Sequence, residues 1–176
     1  VALGEDCPTH QPIEHMVTLR STPNLISWRP ADLVETAVAW KDAVISKSVP
    51  TCLIFSRQGT SAIKRNLEQI AHIENGGYLL KSFEDPDITI IASGSEVQLA
   101  LDAAKELEND SIKSNIVSMP SLDKFLEMPK EYQKTILNSD KPMLVVECSH
   151  PNSWYKILNR NDKVLGIESF GESAPG

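Results

Sequence analysis

Cysteine is scarce in this sequence, at Cys7, Cys52 and Cys148. Without CxxC spacing or a histidine cluster, these exclude a disulfide framework or a zinc site and leave the reduced thiols of a cytoplasmic protein. Basic residues are also short, 17 against 24 acidic for a formal net charge of −7. Nonspecific nucleic-acid binding needs clustered Lys and Arg to displace counterions, and no such patch occurs. Long apolar runs are missing: stretches such as 88–92 and 143–146 fall far short of the roughly 20 residues that span a bilayer. Glycine is thin where a dinucleotide fingerprint would need it, since Ser93-Gly94-Ser95-Glu96 holds one glycine and not three. That turn is therefore read as structural. No signal-peptide pattern, internal repeat or low-complexity tract is seen.

What is present suits a folded α/β protein. The 176 residues are 41% hydrophobic, enough for a substantial core. Apolar spacing predicts a helix over 12–20 with Pro12 in its first turn, a short strand over 25–28, and a helix from Asp32 to about Lys47. Asp32 with Glu35 has capping-box spacing. Residues 51–55 read as a strand buried on both faces, which puts Cys52 in the core. After a loose region at 59–85, read as a linker with a hairpin-like strand at 78–81, a second series begins. It has strands at 88–92, 114–119, 142–147 and 164–167, helices after Glu96 and over 130–137, and an irregular segment at 122–128. Trp154 and Tyr155 are read as packing or interface residues. The alternation predicts two doubly wound α/β units, the first truncated at its N-terminus.

Two places carry candidate chemistry. The stretch from Gly4 to Pro12 is an ordered loop, since Pro8 and Pro12 suit neither helix interior nor central strand. It presents the Asp6 carboxylate, the Thr9 hydroxyl and the His10 imidazole, groups that can hold substrate hydroxyls or move a proton. On residue type alone, Asp6 or Thr9 serves equally as a helix cap and His10 as a surface residue. Arg57 falls at the C-terminal end of the strand over 51–55, where open α/β sheets bind ligands, and its guanidinium suits a phosphate. It equally suits a structural carboxylate.

The order of several motifs resembles the transketolase family. These are Glu5-Asp6-Cys7-Pro8-Thr9-His10-Gln11-Pro12, Trp28-Arg29-Pro30-Ala31-Asp32, Ser56-Arg57-Gln58, Ser93-Gly94-Ser95-Glu96, Val117-Ser118-Met119-Pro120-Ser121 and Phe170-Gly171-Glu172-Ser173-Ala174-Pro175. The resemblance implies that residues 1–75 are the C-terminal part of a pyrimidine-binding domain. Residues 76–176 would be a C-terminal domain truncated at its own C-terminus, with both ends of the chain read as cuts. It departs from the family at Cys7, where Gly is usual, at Gly59-Thr60-Ser61 in place of Asn-Leu-Pro, and at Leu126 and Met128.

The resemblance further implies transfer of a two-carbon ketol unit from a ketose phosphate such as xylulose 5-phosphate to an aldose phosphate such as ribose 5-phosphate. The expected cofactors are thiamine diphosphate and Mg2+ or another divalent cation, in a homodimer of the pentose phosphate pathway. Asp6 would bind a sugar hydroxyl, His10 would contact donor hydroxyls and assist proton transfer, and Arg57 would hold the substrate phosphate. No cofactor or metal ligand is expected in this segment, which by itself would be inactive. Two other readings are a deoxyxylulose-phosphate synthase-like enzyme and a noncatalytic module needing a partner chain. Phe55-Ser56-Arg57-Gln58 argues against the first, and intact Asp6, His10 and Arg57 against the second.

Overall fold

A computed structural model describes residues 10–170. The first helix, α1, runs His15–Ser21 and so starts later than its apolar spacing predicts. The Ile13 carbonyl accepts a hydrogen bond from the His150 amide at 3.0 Å, which keeps Ile13 and Pro12 ahead of the helix and not in its first turn. Strand β1 is Ile26–Trp28, helix α2 is Leu33–Ile45 and strand β2 is Thr51–Leu53. The Asp32 carboxylate caps α2 by accepting from the Glu35 amide at 3.1 Å. Glu35 closes a variant of the capping box, accepting at 2.7 Å from the amide of Ala31 and not from that of Asp32.

The expectation for 51–55 needs correction. β2 has three residues, all half-buried, and Phe55 is 43% exposed. Among the described residues β1 is the one strand paired with it, in parallel. Cys52 is accordingly half-buried, not core.

Beyond the loop, α3 (Leu67–His72) opens with a full capping box between Asn66 and Gln69 and runs into a 3-10 turn over Ile73–Asn75. Gly76, at φ 81°, ends it in the left-handed conformation. The second unit comprises β3 (Tyr78–Lys81), β4 (Ile88–Ala92), α4 (Glu96–Asn109), β5 (Ser114–Ser118), α5 (Leu122–Glu127), α6 (Lys130–Leu137), β6 (Met143–Val146), a 3-10 helix over Pro151–Lys156, and β7 (Lys163–Leu165). Residues 122–127 are helical, not irregular, because the Ser121 hydroxyl accepts from the Lys124 amide and Leu122 and Phe125 bury one face.

The five strands lie in the order β3-β5-β4-β6-β7. β4 to β7 are parallel and β3 is antiparallel to β5. β3 is therefore an edge strand and not the hairpin partner of β4. Its outer side is occupied by Gln69, whose amide donates to the carbonyls of Leu79 and Leu80 at 3.1 and 2.9 Å.

Alternation along the strands fills a core on each face. Ile90, Ala92 and Ile116 face Val97, Ala100 and Ala104 of α4, in a cluster that also takes Trp28 and Ala39 from the first unit. Ile91, Val117 and Val145 face Leu122, Phe125 and Ile136 on the other side. Burial of each Val, Leu, Ile or Phe side chain among these contributes about 1.5–3 kcal/mol. The sheet is thus doubly wound, and its first core is shared with the β1-β2 unit.

Candidate functional site

Arg57 lies just beyond β2 on an exposed stretch, and among the described residues it enters no ion pair or side-chain hydrogen bond. Its neighbours Ser56 and Gln58 line a groove of about 450 Å3, faced by Leu33, Thr36 and Trp40 of α2. His10 is exposed at the head of the described residues. Asp6 and Cys7 lie outside the described residues. Among the described residues no group of three or more His, Cys, Asp or Glu side chains is placed to hold a metal ion.

Three of the other four arginines behave differently, while Arg160 is exposed like Arg57. Arg20, Arg29 and Arg65 have side chains at most 2% exposed, each spent on a carboxylate. Arg20 leaves the same face of α1 as Met16 and donates through both terminal nitrogens to Glu147, each at 2.7 Å. Glu147 also accepts from the Trp154 indole at 2.7 Å and from the hydroxyls of Ser149 and Ser93 at 2.7 and 2.5 Å. Burial alone would push the Glu147 carboxyl up. The charge and hydrogen bonds of Arg20, with help from Arg29 and Ser149, outweigh it and hold that carboxyl well below the usual carboxylate range.

Arg29 enters the same place from the exit of β1. It pairs with Glu96 and donates to the Ser93 carbonyl and hydroxyl, each at 3.0 Å. Gly94 has φ 56°, and a Cβ there would stand 2.9 Å from the Arg29 Nε. The single glycine of the Ser-Gly-Ser turn thus makes room for an arginine of the chain's own. Burial works against the Arg29 charge, but the Glu96 hydrogen bond and the nearby Glu147 more than offset it and raise the pKa.

A second polar knot ties α2 to the loop after β2 and to the five-stranded sheet. The Asp32 carboxylate accepts from Arg65 at 2.6 Å and from the Ile63 amide at 3.0 Å. Glu35 accepts from the hydroxyls of Tyr78 and Ser118 at 2.7 and 2.6 Å and from Arg65 at 3.2 Å. Burial would raise the Asp32 pKa, yet the Arg65 hydrogen bond prevails and lowers it.

Residues 76–176 match the family described as the transketolase-like C-terminal domain, and residues 1–61 match the transketolase pyrimidine-binding domain. The chain belongs to the transketolase family. It is 46% identical over 177 residues to transketolase 2 of Vibrio parahaemolyticus, a match covering 99% of this chain and 27% of that protein. Transketolase from Campylobacter jejuni superposes with a TM-score of 0.88 at 42% identity, over 97% of this chain and 26% of that one. Pichia stipitis transketolase, solved in complex with sedoheptulose 7-phosphate, gives 0.87 at 40% identity, over 97% and 24%. The chain thus spans about a quarter of the length of these relatives.

In this chain, sequence reasoning singled out Arg57 and His10, both exposed, and missed the buried groups. Arg29 entered only within a motif and Glu35 only through its capping-box spacing with Asp32. A signal existed for Arg20, which stands four residues after Met16 on the buried face of α1.

Proposed function

We propose that the protein carrying this chain is a thiamine-diphosphate-dependent transketolase, moving a two-carbon ketol unit from a ketose phosphate to an aldose phosphate. The observation that carries this reading is the contrast among the arginines. Among the described residues Arg20, Arg29 and Arg65 are consumed internally, whereas Arg57 and Arg160 are exposed and enter no ion pair; of these two it is Arg57 that follows the C-terminal end of a strand, beside a groove. A guanidinium so placed clamps a substrate phosphate through two parallel hydrogen bonds.

Thiamine diphosphate, with Mg2+ or another divalent cation, supplies the carbanion chemistry when bound. The residues of this chain take substrate contacts only. Asp6 holds a sugar hydroxyl, Arg57 the phosphate, and His10 the donor hydroxyls, with an imidazole suited to proton transfer near neutral pH. Residues 1–75 act as part of the pyrimidine-binding domain and residues 76–176 as the C-terminal domain of a cytoplasmic homodimer.

The test is ketol transfer from xylulose 5-phosphate to ribose 5-phosphate by the full-length protein with thiamine diphosphate and Mg2+. Activity is expected, and Arg57→Ala is expected to raise KM for phosphorylated sugars by about tenfold or more while kcat changes less. An inactive parent would overturn the reading. An active parent with an unaffected Arg57→Ala variant would remove the clamp role.

A further inference from the structure

The parallel strands of the second unit run in the order β5-β4-β6-β7, so the chain reverses direction across the sheet beside β4. The crevice beyond the carboxyl ends of β4 and β6 is where such sheets usually take a ligand. Here it is filled by the first unit. Arg29 lies against Gly94 after β4, and Arg20 reaches Glu147 after β6.

Two tethers hold the start of the described chain to this crevice. One is the backbone hydrogen bond from His150 to Ile13, at 3.0 Å. The other is the Arg20–Glu147 pair, with both side chains at most 2% exposed. The Trp154 ring lies 4.8 Å from the Arg20 guanidinium, and the Ser153 hydroxyl accepts from it at 3.1 Å. A planar fork matched to both carboxylate oxygens fixes direction as well as distance, so α1 can neither turn nor slide without breaking two charge-assisted hydrogen bonds. His10 stands just ahead of the Ile13 tether.

We propose that Glu147 is a positioning residue for ketol transfer: by clamping Arg20 it fixes α1 and residues 10–14 against the five-stranded unit, and thereby sets the His10 imidazole toward the donor. The inference rests on the transketolase reading of His10. Glu147 touches no substrate itself. It gives the C-terminal unit a definite part in the reaction, as the anvil on which a substrate-facing segment is held.

The experiment uses the full-length protein with thiamine diphosphate and Mg2+, and the variants Glu147→Gln and Arg20→Lys. Amide hydrogen exchange is followed over residues 10–20 and over β4 and β5, alongside kcat and KM for a phosphorylated and an unphosphorylated ketose donor. Faster exchange is expected over 10–20 with β4 and β5 still protected. A fall of about tenfold to a hundredfold in kcat/KM, similar for both donors, is also expected, because a small misplacement of a contact group is costly. Arg57→Ala, in contrast, should spare the unphosphorylated donor.

If Glu147→Gln does not fold, Arg20→Lys carries the test, since it keeps the charge and loses the fork. Unchanged exchange over 10–20, or kcat/KM within about twofold of the parent in a folded variant, overturns the inference. An inactive parent overturns the transketolase reading instead, and the exchange measurement still decides whether Glu147 fixes the segment.

Discussion

Arg20 and Glu147, 127 residues apart in sequence, meet through two hydrogen bonds of 2.7 Å in a part of the molecule that water does not reach. Such a pair is worth little more than well-packed apolar residues, but breaking it strands a charge. Glu147→Leu is therefore expected to lower stability by about 3–5 kcal/mol, read from the midpoint of urea unfolding. The exposed Lys41–Glu74 pair, at 3.2 Å with both side chains at least 60% exposed, is the control. Its removal should cost less than about 1 kcal/mol.

The same carboxyl sets an acid limit. Its folded pKa lies below its ordinary value of 4.5, so its contribution is complete above that value and drains away as pH falls toward the folded pKa. Asp32, lowered from 3.8, acts in the same sense. Melting temperature should drop as the medium is taken below about pH 4.5, and Glu147→Gln should flatten that limb of the profile. An identical acid limb in the variant would assign the loss to other groups.

Gly76→Ala should be among the most damaging small substitutions. The residue has φ 81°, and an added Cβ would sit 2.6 Å from the Phe125 amide nitrogen and closer still to the Ser121 carbonyl. Both are backbone, so neither yields cheaply. The left-handed conformation and the overpacking together predict a loss of about 2–5 kcal/mol, measurable by calorimetry.

Tyr78→Phe tests the second polar knot. The Tyr78 hydroxyl accepts from Arg65 at 2.6 Å and donates to Glu35 at 2.7 Å, while its ring is fully buried. Burial and the neighbouring Glu35 charge push its pKa up, so the hydroxyl stays protonated as a donor at neutral pH. Phenylalanine keeps the ring and leaves two buried partners short of a bond, for an expected cost of about 1–3 kcal/mol in chemical denaturation.

Which elements were legible follows from how each is held. β4 and α6 could be placed from apolar runs and helical spacing, because burial in the sheet and on its face is what forms them. α5 was hidden because it is short and depends on one serine cap and two buried side chains. β2 was overestimated because an apolar run signals burial without naming the neighbour that supplies it. The arginine pairs were hidden for a different reason. Residue type assigns Arg to solvent, and only long-range pairing, such as that of Arg29 with Glu96, makes its burial tolerable. Arg57 was placed correctly beyond its strand because that depends on local sequence alone.

An edge strand with open carbonyls is a template for a foreign strand, and aggregation often begins on one. The Gln69 side chain already occupies the outer carbonyls of Leu79 and Leu80, held there by its capping box with Asn66. Sheet extension at β3 would first have to evict it, which among the described residues leaves β7 as the more accessible edge of the five-stranded sheet. There an exposed Lys163 stands guard, since a charge on a sheet edge discourages addition of another strand.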